Sequence, residues 1–240
     1  MEMQGIITHI NRYGDGGGYV EILTAYKTFS FFVKNLFFIN QKNVLLNLIL
    51  SQGVFDIDVN KKILNNFFID NSSFQYVDNV NKMIFIIFIE EAINKIFPEQ
   101  ERYKMFNILL KMLDLIKVID KKEALLSMIA VFFALSLRLS GIGFNVDRCV
   151  ITGEKTNLIG ISFNDGGFVS ARVFDKRKHK FYSKIKCEIF YKIFKIQEKE
   201  LKIFLFPTYE TFEIVNDLFF HLYKQMGIKF KSQELISKIM

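Results

Sequence analysis

The hydrophobic period of this chain changes once, near residue 80, and that change constrains the fold more than any other feature. Before it, apolar residues alternate in short runs. Residues 5–12 and 19–25 flank the turn cluster Gly14-Asp15-Gly16-Gly17-Gly18, and 28–35 follows a tight connection at Tyr26-Lys27. Alternation punctuated by glycine-rich turns predicts a β-meander. Two further apolar segments, 44–50 and 63–69, bring the expected strand count to about five, although 44–50 also reads as helix.

After residue 80 the spacing becomes helical. Met83, Ile86, Ile87, residues 90–93 and Phe97 fit a helix that ends at Pro98. Tyr103, Phe106, Leu109, Leu110, Leu113 and Ile116 repeat at three and four, and Asp120 is the expected N-cap of an apolar helix through Leu139, stopped by Gly141 and Gly143. Residues 146–174 are irregular and turn-rich, after which helical patterns return over 183–206 and 208–226. The expected fold class is α+β and multidomain: an N-terminal five-stranded Greek-key barrel of the OB-fold kind followed by a mainly α-helical domain.

Composition removes several alternatives. With half of its 240 residues apolar and a quarter charged, the chain can bury a core without a disulfide or metal staple. Cys149 and Cys187 fit a reducing compartment. The longest uncharged run, 124–137, would span about 21 Å as a helix, short of the roughly 30 Å of a bilayer core, and it contains Ser127 and Ser136. It reads as a buried core helix. The opening Met-Glu-Met-Gln-Gly lacks the basic and apolar regions of an export signal, so the expected location is the cytoplasm.

The net charge of +7 is unevenly spread: −1 over residues 1–80, +2 over 81–145 and +6 over 146–240. Between Arg172 and Lys195 nine basic residues stand against Asp175 and Glu188, so this stretch alone equals the whole chain's net charge. Phosphate is the obvious partner for such a segment, read through Arg172, Lys176, Arg177, Lys178, Lys180, Lys184 and Lys186. On the following helix Lys192, Lys195, Lys199 and Lys202 share one 80° arc, a stripe that a solvated face would also produce. In the barrel, Phe32 with Lys34 and Arg12 offers a base-stacking platform, though packing of that face explains the same residues and the acidic balance argues against a strong electrostatic groove.

No catalytic set can be assembled. His9, His179 and His221 lie in no catalytic or metal-binding spacing, and the glycines at 16–18 precede a strand rather than a helix, which suits a hairpin and not a phosphate cradle. An enzyme is not expected. The run Cys149-Val150-Ile151-Thr152-Gly153 looks like a metal knuckle short of a ligand, and zinc is not expected as a cofactor.

Taken in order, these residues resemble the RecO family of bacterial DNA repair and recombination mediators. Gln4-Gly5-Ile6-Ile7 through Arg12-Tyr13-Gly14-Asp15, Leu23-Thr24 and Phe32-Val33-Lys34 are similar to the first strands of that family's OB-fold. The run 139–144 leading into Asp147-Arg148-Cys149, and Phe163 with Asp165-Gly166-Gly167, are similar to its zinc motif. Leu222-Tyr223, Gly227 and Lys229 to Ser232 resemble its closing helix. Where many relatives carry four cysteines, this chain has Cys149, Thr152, Ser170 and Val173, so the insertion is a degenerate, cysteine-poor version. The Arg/Lys-rich loop after the third strand is also replaced, by residues 35–42.

The resemblance divides the chain into an OB-fold domain (1–79), a helical domain in two parts (80–146 and 175–240) and the degenerate zinc-finger-like segment (147–174). It implies a nucleoid-associated protein that binds single- and double-stranded DNA without sequence preference, anneals complementary strands and assists loading of RecA onto DNA coated by single-stranded-DNA-binding protein. RecR is the implied partner, with RecF in some lineages. The acidic C-terminal tail of the single-stranded-DNA-binding protein would dock in the helical domain, with Arg102, Lys104 or Arg138 as the cation. The alternative is an interaction scaffold for RecR and that tail with little DNA affinity of its own.

Overall fold

A computed structural model describes residues 1–38, 42–76 and 78–239. The chain divides into two compact units, Met1–Leu110 and Lys111–Met240, the division falling inside the helix α2 (Phe106–Val118).

The first unit is built on five strands, β1 (Glu2–Tyr13), β2 (Gly17–Leu23), β3 (Thr28–Val33), β4 (Gln52–Asp58) and β5 (Ile63–Asn71). They close into a barrel in the order β1-β2-β3-β5-β4, antiparallel except for the β3–β5 seam, where Phe32 pairs with Ile63 in parallel. That order and seam are those of the OB-fold. β1 serves two partners: residues 2–6 pair with β4 and residues 6–13 with β2, the latter ladder carrying an irregularity between Ile7 and His9. Alternate inward residues, among them Ile7, Val20, Ile22, Phe31, Phe55 and Phe67, fill the interior.

The fourth strand is not the one the sequence predicts. Residues 44–50 contribute to a 3₁₀ turn (Lys42–Asn47) that drops Leu46 into the barrel, and Leu50, with φ 61°, redirects the chain. β4 begins two residues later, in the polar-looking run Ser51-Gln52-Gly53. Gly53 is required there because a Cβ would run into the Phe68 carbonyl of β5. β3 also stops at Val33 and not at residue 35, since Asn35 adopts a left-handed conformation. The helix α1 (Val80–Ile96), capped by the Asn79 side chain on the Lys82 N–H, ends just before Pro98 as its spacing requires.

The second unit is centred on α3 (Lys122–Leu139), in which every side chain from 124 to 137 is buried. Its N-cap is Lys121 rather than Asp120, and no side chain caps it. Ser127 satisfies its hydroxyl by donating to the Glu123 carbonyl and accepting the Phe206 N–H. Among the described residues no helix is long and apolar enough to cross a membrane.

Around α3 pack α4 (Lys184–Lys195) and α5 (Thr208–Met226), with α6 (Ser232–Ile239) closing the chain. Phe133 meets Phe219 and Phe230, and Phe190 meets Phe144, Phe168, Tyr182 and Phe194. The irregular segment holds a small sheet, β7-β6-β8, of β6 (Leu158–Ser162), β7 (Gly167–Ser170) and β8 (Lys180–Phe181).

Helical character does not run on to residue 206 as the spacing suggests. α4 ends at Lys195 because Ile196 turns extended and a reciprocal Gln197–Glu200 cap starts a separate 3₁₀ turn (Glu198–Glu200). The helix α5, by contrast, spans the expected residues and stops at Gly227 in the left-handed conformation.

His221 lies in this core, its ring 5.2 Å from Phe144 and 5.3 Å from Phe163, with no hydrogen-bond partner for Nδ1 among the described residues. Burial pushes its pKa below the ordinary imidazole value. The unfolded chain therefore binds the extra proton first. This contribution to stability is complete above about pH 6.5 and is lost as the pH falls from there towards the lowered folded value. Thermal melts of native protein and His221→Phe across pH 8 to 5 should diverge below pH 6.5, with the native slope steeper by at most about 1.4 kcal/mol per pH unit.

Candidate nucleic-acid interface

On the barrel, the pleat of β1, β2 and β3 brings three rings together at the surface. Tyr19 sits directly across from Phe32, and Tyr13 pairs with Gly17, whose missing Cβ leaves room for the Phe32 ring. The result is an edge-to-face cluster of Tyr13, Tyr19 and Phe32, with centroids 5.3–6.2 Å apart. All three rings keep exposed surface, and exposed rings on adjacent strands are the kind of surface on which unpaired bases stack.

Beside Phe32 a groove of about 440 Å³ runs between β3 and β5, lined by Lys34, Lys42, Asn43, Asn65 and Asn66. Lys42 reaches the Asn66 amide at 3.1 Å and lies over the Phe67 ring. Arg12 is not part of this group: its guanidinium is over Phe37, 5.4 Å from the ring centre. In the replaced loop 35–42, residues 39–41 lie outside the described residues.

Sequence reasoning selected Phe32 and missed Tyr13 and Tyr19. The period-2 rule, with β2 and β3 aligned through their hairpin, would have placed Tyr19 opposite Phe32.

In the second unit the cationic segment is ordered by its own backbone. Asp175 accepts the Arg177 N–H on Oδ1 at 2.9 Å, and its carbonyl accepts the N–H groups of Lys178 and His179 at 3.0 and 2.8 Å. Its own N–H donates to Nδ1 of the buried His179, whose ring lies against Phe174. This clamp holds Lys176, Arg177 and Lys178 as an exposed turn, and none of the three makes an ion pair among the described residues.

The other predicted cations divide. Arg172 meets Glu154 at 3.5 Å on the surface, and Lys180 meets Asp217 at 3.2 Å. Lys184 is exposed at the start of α4. Lys186 leaves the set, because its ammonium is buried between Glu213 and Asp217 and over the Tyr182 ring, where no phosphate can reach it.

Two hollows flank Tyr191 and Lys192. One, of about 630 Å³, is lined by Leu158, Phe168, Phe181 and Tyr182 together with Lys155 and Lys184. The other, of about 590 Å³, is lined by Ile196, Leu201, Phe204 and Phe206 together with Lys192, Lys195, Lys199 and Lys202. The four lysines therefore share a groove, formed by a helix end and the chain beyond it rather than by a helical stripe.

Of the three cations expected near a peptide pocket, Arg102 is bound to Glu21 at 2.7 Å in the first unit and Lys104 to Glu101. Arg138 donates to the Phe194 carbonyl and is attracted by Glu200, which lines the lysine groove.

The turn at Cys149 is held by hydrogen bonds. Thr152 N–H points at Sγ at 3.4 Å, and the Thr152 and Ser170 hydroxyls are 3.5 Å apart. Burial acts to raise the Cys149 pKa, but hydrogen bonds from Thr152, Ser170 and Ile151 outweigh it and bring the thiol down to about 7. One thiol, two hydroxyls and Val173 do not supply the four Cys or His donors of a structural zinc site. No group of three metal-ligating side chains gathers anywhere among the described residues.

None of the curated proteins matches this chain. Residues 78–233, well over half of it, match the family described as Recombination protein O C terminal. With a five-stranded OB-type barrel preceding that region, the chain belongs to the RecO family.

Proposed function

We propose that this protein is a recombination mediator that binds single- and double-stranded DNA through phosphate contacts, anneals complementary strands and helps RecA replace the single-stranded-DNA-binding protein, acting with RecR. The observation that carries the reading is the clamped turn of Lys176, Arg177 and Lys178, three exposed cations held by Asp175 and His179 in a member of a recombination family. Annealing needs the repulsion between two polyanions to be screened while base edges stay free, and mobile lysines on phosphates do that without reading sequence. Arg172, Lys180 and Lys184 extend the cationic surface. Phe32 and Lys34, joined by Tyr13 and Tyr19, supply a place for unpaired bases on the barrel.

The acidic tail of the single-stranded-DNA-binding protein fits the groove between Lys192 and Phe206, where four lysines surround apolar side chains. This position takes over from Arg102 and Lys104 and keeps Arg138 alongside.

Strand annealing measured by fluorescence quenching tests the reading. The protein is expected to accelerate pairing of complementary oligonucleotides, to do so on strands coated by the single-stranded-DNA-binding protein, and to lose the second activity alone when Lys199 and Lys202 are changed to Glu. Acceleration that is absent at 50 mM salt would overturn the proposal.

A further inference from the structure

The helix α5 buries one face and leaves much of the other exposed. Ile214, Val215, Leu218 and Leu222 point into the second unit's core. On the opposite side, Tyr209, Phe212, Asn216, Phe220 and Tyr223 fall within one 80° arc at 100° per residue. Tyr209 is 70 % exposed, Phe220 59 % and Tyr223 45 %. Single exposed apolar residues are ordinary, but an aromatic stripe about 21 Å long, from Tyr209 to Tyr223, is the kind of patch that marks a binding surface.

Two features of its surroundings identify the occupant. Lysine ammonium groups sit on the rings themselves, Lys224 at 5.4 Å from the Phe220 centroid and Lys229 at 5.2 Å from that of Tyr223. Lysine is depleted in the cores of protein interfaces, since covering it with apolar surface strips its water without compensation, whereas a polyanion pairs with it. The flank of α5 is also tied to the cationic segment: Lys180 and the Tyr182 hydroxyl both reach Asp217, and Lys186 reaches Glu213.

We propose that the exposed aromatic face of α5 is a stacking platform for the unpaired bases of single-stranded nucleic acid, with phosphates held by Lys224 and the 176–178 turn. This rests on the reading that the chain binds DNA, and it adds that the second unit grips bases as well as backbone. Planar side chains stack on any base, so the platform distinguishes single strands from duplex without reading sequence.

The test compares an oligothymidine with an abasic oligonucleotide of the same length by fluorescence anisotropy, for native protein and for Phe220→Ala/Tyr223→Ala. Both residues lie opposite the buried face, and circular dichroism verifies that the variant is folded. The variant is expected to lose on the order of 10- to 100-fold in affinity for oligothymidine and to bind the abasic strand as the native protein does. Irradiation of a complex with 5-iododeoxyuridine strands is expected to place an adduct on Phe220 or Tyr223, which separates this face from the barrel rings.

An unchanged preference for thymidine in the folded variant, with adducts only on Tyr13, Tyr19 or Phe32, would overturn the platform while leaving DNA binding itself intact. A native protein that binds neither oligonucleotide would overturn the DNA reading and the platform together. A native dimer in sedimentation that Phe220→Ser converts to monomer would assign the face to a second copy and equally overturn it.

Discussion

Changing Lys176, Arg177 and Lys178 together to glutamate is expected to remove most DNA affinity and to flatten its salt dependence. Each native side chain is exposed and makes no internal ion pair among the described residues, so each is available to neutralise one phosphate. Releasing three fewer counterions lowers the slope of log affinity against log salt by about 2.7 on duplex and about 2.1 on single strands. Between 50 and 200 mM salt the native protein should therefore lose about 40-fold more duplex affinity than the variant.

The substitutions bring the net charge from +7 to +1, which adds repulsion to the lost attraction. A triple glutamine variant separates the two effects, because it loses the same slope with a smaller fall in affinity at low salt. The turn itself should survive both changes, since Asp175 and His179 hold it through backbone groups and not through the three cationic side chains. Lys186→Gln is the internal control: it should leave the slope untouched and lower stability instead, because it leaves Glu213 and Asp217 without their buried partner. Equal slopes for native and triple variant in anisotropy titrations would show that the phosphate contacts lie elsewhere.

How much of this was legible in the residues depended on whether a local pattern decided the outcome. The first three barrel strands, the helix before Pro98 and α5 rest on alternation, glycine turns, a proline stop and a glycine cap, each of which acts within a few residues. β4 escaped because its start looks like a turn. Gly53 is there for the Phe68 carbonyl on a neighbouring strand, which is a tertiary demand with no local signature. The lysine groove was half legible: the spacing of Lys192, Lys195, Lys199 and Lys202 gathers them, but by a helix that in fact ends at Lys195.

The same distinction applies to the site. A dense basic run is visible in the sequence, yet sequence cannot separate Lys178, which faces solvent, from Lys186, eight residues on, which α4 turns inward against two carboxylates of α5. Tyr13 and Tyr19 were hidden for a related reason, since they become a cluster with Phe32 only once three strands are in register.

Arg102 gives the sharpest separation between a binding residue and a structural one. Its guanidinium lies 2.7 Å from Glu21 Oε1, and both side chains are nearly buried, at 14 % and 11 % exposure. Thr8 donates a further hydrogen bond to the same carboxylate oxygen at 3.0 Å. Arg102→Met removes the cation paired with a carboxylate that β2 holds in the interior, and the Thr8 hydroxyl cannot replace it. Breaking a buried pair from one side costs about 3–5 kcal/mol, most of it from the charge left behind. The first unit should therefore unfold at clearly lower urea concentration, which far-UV circular dichroism can follow in a chain without tryptophan. Glu21→Met combined with Arg102→Met should recover most of the loss, because it replaces two desolvated charges with apolar side chains of similar length. A tail-binding arginine would behave in the opposite way: Arg102→Met would leave the urea midpoint in place and weaken only peptide binding, and no change at Glu21 would restore it.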